Sequence, residues 1–186
     1  HTARFYQHQL KMKMMGLPGP VAFEVMRNEL DLEDSIELLQ RETDEIFQDM
    51  LPDQIATMPG LEELLVLLES ENIPKAVATS SHRRFAKTAL AFFDLEPRFE
   101  FVLTSEDVTN GKPNPEIYLT AAKKFCVEPA NMLVLEDSRT GSLAAAAAGA
   151  FTISVPTQHS LGQDFEHVDR VAKSLIDPKI LELFAD

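Results

Sequence analysis

Three polar clusters lie far apart along the chain, each placed where a short apolar run ends or a loop tightens. Val77-Ala78 leads into Thr79-Ser80-Ser81, Lys112 stands between Gly111 and Pro113, and Met132–Leu135 leads into Glu136-Asp137. Adjacent carboxylates repel each other, and a divalent cation best relieves that repulsion; hard oxygen donors suit Mg²⁺. A hydroxyl with neighbouring backbone N–H groups is a cradle for phosphate. A lysine fixed by glycine and proline offers a positive charge to phosphoryl oxygens. Each cluster also has a purely structural reading. Glu136 and Asp137 suit the positive end of a helix dipole, Thr79 suits a strand end or N-cap, and Lys112 suits a solvated loop. Their order and shared position past apolar runs favour the joint reading, a phosphoryl site.

Those clusters meet only if the strands that carry them run parallel, because open α/β sheets bind ligands outside strand carboxyl ends. The pattern after Met58-Pro59-Gly60 supplies such strands. A leucine-rich helix runs from Leu61 to about Glu71, and Lys75–Thr79 is a strand. A helix over Arg83–Phe93 turns Phe85, Ala89, Phe92 and Phe93 inward. Glu100–Thr104 is a strand, and the helix Glu116–Phe125 turns Ile117, Leu119, Ala121 and Ala122 inward. The strand Met132–Leu135, the helix Ser142–Ala148 and the strand Phe151–Val155 follow. Val168–Val171 is an edge strand, and Pro178–Phe184 a terminal helix. This alternation predicts an α/β fold, a Rossmann-like parallel sheet covered by helices on both faces. Cys126, at a helix end, reads as a small core residue.

Residues 1–57 carry a different pattern. After the turn cluster Met15–Pro20, Val21, Ala22, Val25, Met26 and Leu30 recur at helical spacing. Asp31 or Asp34 caps a second helix whose apolar face holds Ile36, Leu39, Ile46, Phe47 and Met50, and Pro52-Asp53 ends it. The expected division is a helical unit over 1–57 and an α/β core over 58–186.

Composition narrows the partners. The net charge of −13 argues against nonspecific nucleic-acid binding and against an anionic membrane surface, while leaving room for a locally cationic phosphate site. A single cysteine cannot form an internal disulfide, which fits a reducing, cytoplasmic setting. No apolar run reaches transmembrane length.

Val77-Ala78-Thr79-Ser80-Ser81, Gly111-Lys112-Pro113-Asn114-Pro115-Glu116-Ile117-Tyr118 and Val134-Leu135-Glu136-Asp137-Ser138 resemble motifs two, three and four of the haloacid dehalogenase superfamily. The branch resembled carries a helical cap and includes β-phosphoglucomutase and small-metabolite phosphatases. The resemblance implies that Thr79 hydrogen-bonds the transferring phosphoryl group and that Ser80 and Ser81 add contacts. It implies that Lys112 neutralises phosphoryl charge, that Asp137 ligates Mg²⁺, and that Glu136 ligates it directly or through water. Residues 1–57 become the cap, with Lys11, Lys13, Gly16 and Leu17 on its site-facing side. His82 and Arg83 border the substrate, and hinges fall near Lys13–Gly16 and Thr57–Gly60. The implied reaction is Mg²⁺-dependent hydrolysis of a small phosphorylated metabolite, a sugar phosphate or similar, through an aspartyl-phosphate. A phosphomutase and a non-catalytic module that binds a phosphorylated ligand or a protein are the alternatives.

One departure stands out. The family's first motif, Asp-x-Asp-Gly-(Thr/Val), ends a central strand and supplies the nucleophile and the acid/base. No such sequence occurs in this chain. Asp31, Asp34, Asp44, Asp49 and Asp53 all lie in the helical unit with no strand before them. The expectation is a chain that begins after that motif, with His1 in place of Met, and a core without its first strand. Unpaired strand edges and a void should follow, and the polypeptide as it stands should have no turnover.

Overall fold

β-Branched and leucine-rich runs form the strands, as their fit to a pleated, buried surface requires. In the computed structural model, which describes residues 9–10, 13–14, 19–158, 160 and 162–184 (side chains of 44 and 47–54 excepted), they make two parallel sheets. β1 (Val77–Ala78) pairs with β2 (Val102–Leu103), Val77 opposite Val102. β3 (Leu133–Glu136) pairs with β4 (Phe151–Ser154), Glu136 opposite Ser154, and β4 pairs with β5 (Arg170–Val171).

From residue 19 on, seven helices surround them among the described residues. They are α1 (Gly19–Leu30), α2 (Ile36–Gln54), α3 (Leu61–Ser70), α4 (Arg83–Phe92), α5 (Glu116–Phe125), α6 (Arg139–Ala148) and α7 (Pro178–Leu181). One core layer joins Leu103 and Val134 to Ile117, Tyr118 and Ala121 of α5 and to Ala144, Ala145 and Ala148 of α6. The other joins Ile153 and Val155 to Leu64 of α3 and Ile180 of α7. Helices therefore cover opposite faces. The alanines of α6 let its backbone approach the strands closely; Ala144 and Ala145 are fully buried. Ser138 caps α6 by accepting from the Gly141 N–H, and Gly149, at φ 83°, ends it in the left-handed region that glycine adopts at no steric cost. Among the described residues, no helix is long and apolar enough to cross a membrane.

The edges between the two sheets organise the site. The N–H groups of Val77 and Thr79 donate to Phe101 and Leu103, and Lys75 accepts from Glu100. Because backbone groups alternate along a strand, those of Ala76 and Ala78 face the opposite edge. On β3, Met132 and Glu136 accept from Phe151 and Val155, which turns the backbone groups of Leu133 and Leu135 to its other edge. Among the described residues no strand pairs with either edge. Between them lies an apolar cavity of about 490 Å³, lined by Ala76 and Ala78 on one side, Leu133 and Leu135 on the other, and Leu64 and Ala121 from the helices.

Several local readings change. Ser35 caps α2, its Oγ accepting from the Leu38 N–H at 3.2 Å, whereas Asp31 takes a left-handed turn conformation at φ 53°. Helix α2 continues through Pro52, which lacks the N–H for one bond of the ladder, and ends two residues later at Gln54. Ile46, Phe92 and Leu119 are exposed. On α5 the buried positions are Ile117, Tyr118, Ala121 and Ala122, so Leu119 falls on the far side of the 3.6-residue turn. Cys126 is exposed because it occupies the left-handed cap of α5, beyond the buried face.

Candidate active site

Lys112 is the centre. Its loop ends at Pro115, the residue before α5, and its Nζ reaches three acceptors: the Ala78 carbonyl at 3.0 Å, the Tyr118 hydroxyl at 2.9 Å and Glu136 Oε1 at 2.5 Å. The end of β1, the proline-bounded loop and the first acid after β3 thus converge on one ammonium. Tyr118 also donates its hydroxyl proton to Glu136 Oε1. Ser138 Oγ donates to Glu136 Oε2 at 3.2 Å. Both side chains of the ion pair are only 7% exposed. Desolvating two charges is costly, and here the tyrosine and serine hydroxyls supply the additional hydrogen bonds that offset it. Burial, then the Glu136 and Asp137 charges, push the Tyr118 phenol well above its ordinary range. The Glu136 carboxylate rests on Gly141, where any Cβ would overlap it.

Thr79 forms the strand-end turn, its Oγ1 accepting from the Ser81 N–H at 3.1 Å. Ser81 in turn accepts from the Ser105 N–H at 3.1 Å. Thr79, Ser80 and Lys112 share a small pocket of about 10 Å³ with Ser105 and Gly111. Three sequence-predicted residues are therefore brought together there, with Ser81 one turn away.

His82 and Arg83 open α4 beside this turn. His82 Nε2 lies 3.3 Å from Gln40 Nε2 of α2, and its Nδ1 lies 3.6 Å from Glu106. Arg83 is bound to Asp107 at 2.6 Å and to Glu106 at 3.6 Å, and the Asp107 carboxylate holds the guanidinium above its ordinary range. Gly16 and Leu17, with Lys11, lie outside the described residues. Lys13 pairs with Glu29 at 2.8 Å.

Asp137 follows Glu136 at the strand end and is exposed. Among the described residues, no group of three or more acids, histidines or cysteines gathers for a metal. Mg²⁺ does not need one: it keeps several waters and binds through one or two carboxylates. Glu136 and Asp137, all oxygen, fit that requirement and lack the nitrogen and sulfur donors that zinc favours.

Tyr118, Ser138 and Gly141 surround Glu136, and sequence reasoning gave them no part in the site. Tyr118 carried a weak signal, since a phenol on the buried stripe of a helix must find a partner.

The sequence profile of the haloacid dehalogenase-like hydrolases matches residues 3–155. A phosphorylated carbohydrates phosphatase of Thermotoga maritima is 32% identical over 174 residues, spanning 94% of this chain and 80% of that protein. (DL)-Glycerol-3-phosphatase 2 of Arabidopsis thaliana is 32% identical over 190 residues, spanning 95% and 78%. The crystal structure of a CbbY variant from Rhodobacter sphaeroides with xylulose-(1,5)-bisphosphate matches with a TM-score of 0.72 at 27% identity, over 77% of this chain and 65% of that one.

Proposed function

The chain belongs to the haloacid dehalogenase-like hydrolases, and from there we propose that it forms the phosphoryl-binding body of a Mg²⁺-dependent phosphatase for sugar phosphates or similar small monoesters. The relatives named for phosphorylated carbohydrates and for glycerol 3-phosphate support that substrate class. The observation that carries the proposal is the bridge made by Lys112, which ties the end of β1 to the first acid after β3. A strand-end hydroxyl, an ammonium and two carboxylates then surround one place for a phosphoryl group.

Asp137 would hold Mg²⁺, with Glu136 ligating it directly or through water. When bound, the ion draws charge from the phosphoryl oxygens. Lys112 supplies the opposite charge on the other side, and Thr79 and Ser80 offer hydroxyl and backbone donors. The reacting carboxylate belongs to an Asp-x-Asp-Gly strand, absent from this sequence, whose place is the slot between β1 and β3. There its backbone would pair with Ala76 and Ala78 on one side and with Leu133 and Leu135 on the other. Its oxygen would form the bond to phosphorus as the ester P–O bond breaks, the acid/base of the same motif would protonate the leaving oxygen, and water would then break the P–O bond to the aspartate and release phosphate. Residues 1–57 serve as the cap over the core at 58–186, hinged near Gly60. Gly16, Leu17, His82 and Arg83 border the leaving group.

Incubation of the 186-residue polypeptide with p-nitrophenyl phosphate and Mg²⁺ tests this reading. No magnesium-dependent turnover is expected from the polypeptide itself. The same chain preceded by an apolar strand ending in Asp-x-Asp-Gly should hydrolyse the ester, and replacement of the first aspartate of that motif by asparagine should abolish hydrolysis. Turnover without the added strand would overturn the assignment of the nucleophile.

A further inference from the structure

A lysine ammonium carries three protons, and all three at Lys112 have acceptors: the Ala78 carbonyl, the Tyr118 hydroxyl and Glu136 Oε1. The pocket beside it, about 10 Å³, has room for little more than a water. A phosphoryl oxygen therefore reaches Lys112 only if one acceptor gives way, and the three lose different things. In the 186-residue chain, with no strand in the slot beside β1, the Ala78 carbonyl lies on an edge that no described strand pairs, so it would be left without a donor. Glu136, buried, would lose its countercharge, the most costly exchange. The Tyr118 hydroxyl would lose only a bond it accepts. It would keep the one it donates to Glu136, and no proton would be left unsatisfied.

We propose that Tyr118 is the placeholder acceptor of the phosphoryl site: it engages the third Lys112 proton while no phosphoryl group is bound and yields it when one arrives. This inference rests on the phosphoryl-site reading above. Tyr118 is then a positioning residue, keeping Lys112 aimed at the site without touching the phosphoryl group. Its ring is fixed in the core of α5, 4% exposed, so the ammonium turns and the phenol stays.

The chain has two tyrosines, Tyr6 and Tyr118, and no tryptophan, so its near-ultraviolet absorption reports on few phenols. Inorganic phosphate titrated with Mg²⁺ into the 186-residue chain should produce a saturable shift of the tyrosine band, in step with binding measured by calorimetry. Tyr118→Phe should abolish the shift. It should also tighten phosphate binding by roughly three- to tenfold, because one modest hydrogen bond no longer competes. A merely structural tyrosine would give equal or weaker binding in the variant, and either result would overturn the proposal. Wild-type binding without a tyrosine shift would overturn it as well, and that arm decides the question if the phenylalanine variant does not fold. Failure of the wild-type chain to bind phosphate would overturn the phosphoryl-site reading, and the placeholder with it. A failure confined to the tyrosine measurements would leave that reading standing.

Discussion

At the scale of single residues, the site is a closed knot of charge and hydroxyl around Glu136. The structure brings Lys112 to Glu136 and to the end of β1, and the shared position of these residues after apolar runs was legible in the sequence. Their partners were not. Glu136 reads as a metal ligand from its neighbour Asp137, yet its three hydrogen bonds come from Lys112, Tyr118 and Ser138, two of them on a loop and a helix that only the fold brings near. Gly141 is the sharpest case. In sequence it is one small residue in an alanine-rich helix, and by propensity alanine should be better by about 1 kcal/mol. In the structure the Glu136 carboxylate occupies the space of its missing side chain. Gly141→Ala should therefore destabilise the chain, by about 1–3 kcal/mol as overpacking does. Urea unfolding checks this, and a variant more stable than the parent would show that the carboxylate does not sit there.

Among elements, helix and strand types follow the hydrophobic period, while their ends do not. The strands β1 and β2 shrink to two residues each, against the five read from Lys75–Thr79 and Glu100–Thr104, although the Glu100 N–H still donates to Lys75 and the Thr79 N–H to Leu103 at the ends of those runs. Periodicity reports which residues seek burial and is silent on which neighbour supplies it. A second contact between elements was equally hidden. Arg98, in the turn after α4, binds Glu62 at 2.5 Å and Glu69 at 2.8 Å, both on α3. Lys75 joins Glu69 at 3.2 Å. The Arg98 hydrogen bond first, helped by Lys75, holds the Glu69 carboxyl at about 2 against an ordinary 4.5. A carboxyl depressed on folding stabilises the native state above its unfolded pKa, and that contribution fades as pH falls through the folded value. Arg98→Met should lower the melting temperature modestly at neutral pH, as expected for an ion pair open to solvent. The gap from the parent should close between about pH 4.5 and pH 2. Thermal melts across that range check it, and a gap that widens in acid would contradict the linkage.

For the whole molecule, an acidic chain keeps Lys112 buried against Glu136 at the strand ends. The net charge of −13 leaves room for a local cationic site, because a single ammonium in a low-dielectric pocket outweighs distant surface charge at short range. The parallel α/β architecture was legible from alternation alone. The meeting of α2 with α4 through Gln40 and His82 was not, since nothing in either helix's period marks a partner 42 residues away. The central claim is that the strand-end hydroxyls, Lys112 and the paired acids enclose one Mg²⁺-dependent phosphoryl pocket. Nitrogen-15 NMR of the Lys112 ammonium during titration with inorganic phosphate tests it most directly. A buried ammonium with three acceptors should give a slowly exchanging signal, and that signal should move saturably with phosphate when Mg²⁺ is present. A Lys112 signal that stays unchanged through saturating phosphate and Mg²⁺ would contradict the account.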